Sequence, residues 1–439
     1  MKNIVNNRMC HVLLIFKEMI PSIRLCGHAQ MTVLKENGLI EYRATMVSEL
    51  SREDMIWADV VLIGRLDNPL ELDDIKYLSK HKKYLVYIID DDLLNIPAEF
   101  NSAAYYHLSQ VKNSIVRMME LSDAIMSPSK VLLEKYATNG KRKILIEEPA
   151  TCNTEFKPHD ASMPVRIGFA GSVDRVGDIE NVLEEVLCQL KQEYGEHICY
   201  TFFGAIPSFA TTISAEVIPY TNSYEEYQER LGNAHWDIGL APLPDTPFHS
   251  CKHYNKFIEY AATGITGVFS ECGPYLRLKE EIGLGDFCSN STEAWLEKLR
   301  ELIDDHTLRE NKRKAAWIYA QKHFSVKAIA KKLYEENSCI FQYRAPELNA
   351  NRFCKNKLLN KFGKTAAEIG WRLRYKTRYC FQRVALLVSA YGWGFPMHIY
   401  RKVFPPLLIA MFNRFDQVFP MNSKVRRLIR RIERKDNND

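Results

Sequence analysis

The chain has 439 residues, 46% of them hydrophobic and 26% charged, the composition of an ordinary globular protein too long for one small core and suited to two domains with residues to spare. Its net charge of +5 is unevenly spread: residues 345–439 carry 20 Lys+Arg against 6 Asp+Glu, and the remainder carries 39 against 48, so an acidic body bears a basic appendage. Eleven cysteines with no C-x-x-C pair exclude a disulfide framework and argue for reduced thiols in the cytosol.

The opening "MKNIVNNRMCHVLLIFKEMIP" has only a short apolar run before Lys17 and Glu18, which predicts a buried strand rather than a secretory leader. Short β-branched runs then alternate with charged helical patterns: "CHVLLIF" (10–16), "DVVLIG" (59–64), "YLVYIID" (84–90), "DAIMS" (123–127) and "KILIEE" (143–148). Most of them lack polar alternation, as parallel strands do when helices cover both sheet faces. "AQMTVLKENG" (29–38) reads as a helix stopped by Gly38. The proline-bearing, aperiodic stretch 148–164 marks a domain boundary. The pattern restarts with "VRIGFAG" (165–171), "CYTFFG" (199–204), "AEVIP" (215–219), "WDIGLAPL" (236–243) and "TGVFS" (266–270), with helices predicted near 178–194, 223–234 and 254–263. After Ser291 the chain reads as helical to about Tyr343. The expected fold is α/β: two doubly wound, Rossmann-like parallel-sheet domains, 1–155 and 156–344, facing a cleft, followed by a basic, aromatic-rich helical extension, 345–439. Clefts at the carboxyl ends of such sheets are the favoured ligand sites. No window approaches the ~20 uncharged residues of a spanning helix.

Two motifs bear on chemistry. In "VRIGFAGSVDRVGDIENVL" a strand ends at Gly168-Phe-Ala-Gly171-Ser172 and a helix begins near Asp178. Such a turn brings backbone N–H groups and a helix N-terminus to a diphosphate, although Asp178 opposes an anion and a plain strand–helix turn reads equally well. In "HSCKHYNKFIEYAATGITG" (249–267), a helix would place Lys252, Lys256 and Glu259 on one side. Lys256 then faces a phosphate, and Glu259 accepts hydrogen bonds from a ribose diol. The plainer alternative is a surface Lys256–Glu259 ion pair worth at most ~1 kcal/mol.

The segment "DIGLAPLPDTPFHSCKHYNKFIEYAATGITGVFSECGPY" (237–275) resembles the donor-binding segment of retaining, family-4-like bacterial glycosyltransferases of the GT-B fold. "IPSIRLCGHAQMTVLKENG", "ADVVLIGR", "YLVYIIDDDLLNIP", "ILIEEPATCNTEF" and "IGFAGS" are similar to other pieces of that family in the same order, so the resemblance spans roughly 10–340. It implies that Glu259 contacts the nucleotide ribose, with Lys256 and Lys252 carrying the phosphate charge and Arg175 a further candidate. Gly171 and Ser172 belong to the diphosphate turn, Gly273 to the loop near the donor sugar, and Tyr220 to the place of the nucleobase. Many members carry a second glutamate eight residues before Glu259; here that position is Cys251.

On the acceptor side, His28 is a candidate to assist the acceptor hydroxyl, and Arg24, Arg65 and Asp91 to line the cleft; structural roles compete for each. The run Asp90-Asp91-Asp92 invites a D-x-D metal site. That site belongs to a glycosyltransferase fold with one nucleotide domain, and acids after a strand also cap helices, so no metal and no cofactor is expected. His28, Lys256 and Glu259 are the expected catalytic set. The tail's interleaved cations and aromatics fit a membrane-interface helix, a solvated or oligomerising appendage, or, without any recognisable module, nucleic-acid binding; a membrane contact is expected and nucleic acid is not. The expected activity is metal-independent, retaining transfer of a hexose from a nucleotide-sugar to a glycan or lipid-linked acceptor, in cell-surface polysaccharide biosynthesis, in the cytoplasm at the inner face of the membrane. A non-catalytic scaffold with the same body is the main alternative, and an epimerase or phosphorylase a third.

Overall fold

The computed structural model describes residues 8–346 except 152, 154 and 222. They belong to the first of two compact units, Met1–Lys357; the second, Leu358–Asp439, and with it most of the expected basic extension, lies outside the described residues.

Two six-stranded sheets, parallel throughout, follow one another along the chain. The first joins β1 (Cys10–Phe16), β2 (Ile40–Met46), β3 (Val60–Gly64), β4 (Tyr84–Ile88), β5 (Ala124–Ser127) and β6 (Arg142–Leu145) in the order β2-β1-β3-β4-β5-β6. The second joins β7 (Val165–Gly171), β8 (Ile198–Gly204), β9 (Glu216–Ile218), β10 (Ile238–Ala241), β11 (Thr266–Ser270) and β12 (Asp286–Cys288) in the order β12-β11-β10-β7-β8-β9. Strand order reverses at β1 in the first sheet and at β7 in the second, and ligands settle at such switch points.

Most of the apolar runs predicted as strands are central and buried, β3, β5 and β11 at every position, whereas the predicted β6 and β9 are edge strands and largely unburied. Two strands escape that criterion. In β2, "IEYRATM", burial alternates because it is an edge strand with part of one face in water; β12, "DFC", is a three-residue strand on the opposite edge of its sheet.

Each sheet has its own core. Val12, Leu14, Val60, Leu62 and Val86 centre the first. The helices Val326–Glu336 and Ser338–Phe341 bring Ile329, Leu333, Ile340 and Phe341 into that same core, so the chain crosses back after completing the second sheet. The second sheet is covered on its two faces by separate clusters, one built on Ile179, Leu183, Phe202 and Trp295, the other on Trp236, Phe257, Tyr260 and Phe269. Rings lie so close to its strands that glycine is required beneath them: a Cβ on Gly168 would stand 2.1–2.4 Å from the Trp236 ring. Gly168→Ala is therefore expected to lower stability by ~1–3 kcal/mol through overpacking. Gly177→Ala, where a Cβ meets nothing within 4 Å and the residue is helical, should raise it slightly. Thermal melts of the two variants test this; equal shifts would contradict it.

Asp237 ties several elements of the second lobe together. Its carboxylate accepts the Arg166 backbone N–H (2.8 Å), meets His159 Nδ1 at 2.7 Å and pairs with Arg309 Nε at 3.4 Å. Among the described residues no helix is long and apolar enough to cross a membrane.

Candidate functional site

The carboxyl ends of both sheets empty into one crevice, and it is crossed by polar contacts. Asp91 follows β4 and pairs with Lys252 of the second lobe at 2.9 Å. Glu147 follows β6 and takes Arg277 at 2.8 Å and the Tyr254 hydroxyl at 3.1 Å. Arg24 pairs with Glu225 and Lys130 with Glu281, again across the crevice. Phe100 sits edge-on to Phe248, ring centres 5.3 Å apart.

The helix Asn255–Thr263 buries Phe257, Ile258, Tyr260, Ala261 and Ala262 and stops at Gly264, whose φ of 74° is the left-handed cap that glycine adopts without strain. It begins three residues later than a shared helical side for Lys252, Lys256 and Glu259 requires. Lys252 stands in the preceding turn and reaches Asp91 instead, a correction to the expected trio. Lys256 and Glu259 remain one turn apart, 2.6 Å between Nζ and Oε2, with side chains only 14% and 13% exposed. The Tyr227 hydroxyl donates to Glu259 (2.8 Å) and accepts from Lys256 (3.1 Å). This pair is neither solvated nor isolated.

The other anticipated donor-side residues divide. Arg175 lies behind the Gly171-Ser172 turn, pairs with Asp178 at 2.9 Å and donates to the Pro242 carbonyl at 3.3 Å, so the acid that opposes an anion there is balanced by the neighbouring arginine. Gly273, at φ 53°, lets its loop approach the chain at His249 and Ser250: a Cβ would stand 3.2 Å from the His249 carbonyl oxygen. Tyr220 is 63% exposed beside Gly204, while Tyr224 and Tyr227 are the aromatics next to Glu259.

On the first lobe, His28 Nδ1 is 2.9 Å from the Tyr42 hydroxyl of β2, and burial, helped by the charge of Arg24, lowers its pKa and keeps the ring neutral. Arg65 is committed to Asp90 at 2.8 Å. Asp92 is buried and binds Lys135 (2.6 Å), Asn95 (3.0 Å) and the Tyr136 hydroxyl. Asp90, Asp91 and Asp92 thus turn to three different partners instead of sharing one centre. Cys251, at the place of the family's first glutamate, has its sulfur 3.8 Å from Asp92 Oδ2.

Residues that the sequence reading passed over complete the crevice. His249 is buried, its Nδ1 is 2.7 Å from the Thr246 hydroxyl, and burial together with Arg175 and Lys252 lowers its pKa to about 4. His253 is buried with Nε2 3.4 Å from Glu147 Oε2. The adjacent Glu147 and Glu148 are pushed in opposite directions. Burial alone would raise Glu147, but His253, Arg277 and Tyr254 outweigh it and hold the carboxyl at about 2. Burial raises Glu148 to about 7, with Asp90 and Glu259 adding to the shift and His253 and the Cys26 thiol opposing it. The available signal was "EE" just beyond the apolar run "ILI", at the carboxyl end of β6.

Glu148 lies 3.5 Å from the Cys26 thiol and feels the charges of Asp90, His253 and Glu259, and its shift has a consequence for stability. A carboxyl whose folded pKa exceeds the unfolded one stabilises fully below the unfolded value, and that stability is lost as pH rises through about 7. Glu148→Gln lacks the titration, so its stability relative to the parent should rise by about 3 kcal/mol between pH 4 and pH 8. Urea midpoints at the two pH values read this directly; a constant gap would mean that Glu148 titrates normally.

Among the described residues His159, Asp237 and Glu310 place ligand atoms within 4.8 Å of one another. Arg309 and Arg313 already engage these groups, Arg313 lying 2.9 Å from His159 Nε2, so protein cations stand where a metal would have to.

No family model and no curated protein matches the chain. Among solved structures it is similar to HepE of Anabaena in complex with UDP and glucose, at 11% identity over 75% of this chain and 100% of that one, TM-score 0.50. A glycosyltransferase from Rickettsia africae is similar at 14% identity over 76% and 98%, TM-score 0.50. An alpha-glucosyltransferase bound to UDP and a 13-mer DNA containing an HMU base is similar at 12% identity over 75% and 98%, TM-score 0.50. At such identities the likeness shows the fold, the two-lobed Rossmann-like GT-B architecture.

Proposed function

We propose that this chain is a glycosyltransferase that moves a hexose from a nucleotide-sugar to a glycan or lipid-linked acceptor, in cell-surface polysaccharide biosynthesis. The observation that carries the reading is the buried Lys256–Glu259 pair, presented with Tyr227 at the crevice between the carboxyl ends of two parallel sheets. Structures of the same fold hold UDP, one of them together with glucose, which supports a nucleotide-sugar as donor.

In this reading Glu259 accepts the ribose hydroxyls. The cations Lys256, Lys252 and Arg175, with the backbone at Gly171-Ser172, neutralise the diphosphate as it leaves. Each of these cations holds a carboxylate of the protein, Glu259, Asp91 and Asp178 respectively, so a diphosphate enters by exchange with carboxylates and the site bears little net positive charge before it arrives. That arrangement needs neither metal nor cofactor. Closure of the lobes on donor and acceptor excludes water, and His28, Arg24, Arg65 and Asp91 line the acceptor side. Retention of anomeric configuration follows from the family likeness. Residues 345–439 bring the enzyme to the inner face of the membrane, where a lipid-linked acceptor is presented.

Calorimetric titration of the full chain with UDP, GDP and ADP tests the donor site; binding of none would leave a degenerate scaffold as the better reading. Product analysis with mixed nucleotide-sugars and a membrane extract then identifies sugar and acceptor.

A further inference from the structure

Glu148 is absent from the machinery above, yet it is a buried carboxyl with very little hydrogen bonding. It follows β6 at the hinge between the lobes and is 7% exposed. Its one hydrogen-bond partner among the described residues is a weak donor, the Cys26 thiol, 3.5 Å from Oε1. Oε2 has no hydrogen bond among the described residues and is not wholly closed off from solvent. Ordinarily a buried carboxyl is held by cations or several N–H donors. Glu147, next to it, is held in that way by Arg277 and Tyr254. Charges from both lobes act on Glu148: Asp90 from the first, His253 and Glu259 from the second. His253 is itself 7% exposed; its Nε2 stands 3.4 Å from Glu147 Oε2, and its Nδ1 has no hydrogen-bond partner among the described residues. A buried carboxyl with so little hydrogen bonding is costly and calls for a reason, which a bound polar group would supply.

The surroundings decide the class of ligand. Arg65 and Lys256 already neutralise Asp90 and Glu259, which leaves little net field beside Glu148 to draw in either an anion or a cation. A neutral hydroxyl fits, because a carboxyl near its pKa both donates and accepts. We propose that Glu148 forms a sugar-hydroxyl subsite of the crevice, separate from the Lys256–Glu259 pair. This rests on the nucleotide-sugar reading and adds to it the contact that recognises the sugar rather than the nucleotide.

The sugar belongs either to the donor or to the acceptor, and one set of measurements distinguishes them. The full chain and its Glu148→Gln and Glu148→Ala variants are titrated with UDP, GDP, UDP-glucose, UDP-N-acetylglucosamine and GDP-mannose, and transfer is assayed with the sugar the parent uses. Melting curves confirm folding; Glu148→Gln preserves the shape of the side chain if alanine does not fold. Loss of tenfold or more in affinity for the nucleotide-sugar, with diphosphate affinity within twofold of the parent, places the donor sugar at Glu148. Unchanged donor affinities with the acceptor KM raised tenfold or more place the acceptor there. Variants that match the parent in every measurement, or that lose diphosphate and nucleotide-sugar equally, overturn the subsite and leave the donor site standing. A parent chain that binds none of the five probes overturns both.

Discussion

Replacing Lys256 by alanine is expected to lower sugar transfer by about a hundred- to a thousandfold, the loss measured when one preorganised electrostatic donor is removed from a site where charge develops on a leaving group. The fold should survive, because the helix is anchored by Phe257, Ile258, Tyr260 and Ala261 and Lys256 lies off that buried face. Glu259→Ala should act differently. It removes the acceptor for ribose hydroxyls and should weaken nucleoside diphosphate binding by roughly tenfold or more, since a hydrogen bond to a charged group contributes ~1.5–3 kcal/mol. The two residues also hold each other at 2.6 Å, so single variants leave a partly buried partner uncompensated. The double variant separates the possibilities. If the pair is structural, removing both restores what removing one disturbed; if it holds donor, the double variant is at least as inactive as Lys256→Ala, with a non-additive cycle. Turnover near that of the parent in Lys256→Ala, or unchanged nucleoside diphosphate affinity in Glu259→Ala, would remove the proposed donor site.

How much of this was legible from the residues alone can be traced element by element. The central strands were, because burial on both sides demands unbroken runs such as "VVLIG"; of the edge strands, β6 and β9 still carried apolar runs, "KILI" and "EVI", whereas β2 alternates with polar residues and β12 has only three residues, "DFC". Lys256 and Glu259 share a helix and a local spacing, so their pairing could be read from i and i+3. Lys252 could not be placed the same way: its partner Asp91 lies 161 positions away in the other lobe, and the turn at residues 251–254 delays the helix. The crevice acids were hidden for a related reason. Glu147 and Glu148 looked like the ragged end of a strand, and only the arrival of His253, Tyr254 and Arg277 from more than 100 residues later gives one a clamp and leaves the other nearly without partners. Local periodicity reports burial; it does not report which lobe a side chain will meet.

The largest effect on stability is expected away from the crevice, at Asp237. Its side chain is 5% exposed and that of Arg309, one of its partners, 4%, so removing the carboxylate leaves a guanidinium buried without its counter-charge. Breaking a buried pair from one side costs ~3–5 kcal/mol. Arg309 keeps hydrogen bonds to the Leu302 and Ile303 carbonyls, which argues for the lower half of that range. At ~2–4 °C per kcal/mol for a domain of this size, Asp237→Ala should lower the melting temperature of the second lobe by roughly 10 °C in calorimetry. Asp237→Asn keeps an acceptor for the Arg166 N–H but loses the charge and should fall between the two. The pH dependence gives an independent check. Burial alone would raise the Asp237 carboxyl, but His159, the Arg166 N–H and Arg309 outweigh it and hold the pKa below its ordinary value. Stability from a depressed carboxyl is present above the unfolded pKa and is lost as pH falls through the folded one. The gap between parent and Asp237→Asn should therefore be full at neutral pH and narrow once the pH drops below about 4, where the parent's carboxyl also takes up a proton. A gap that persists undiminished at pH 3 would mean that the contribution of Asp237 is the shape of its hydrogen bonds and not its charge.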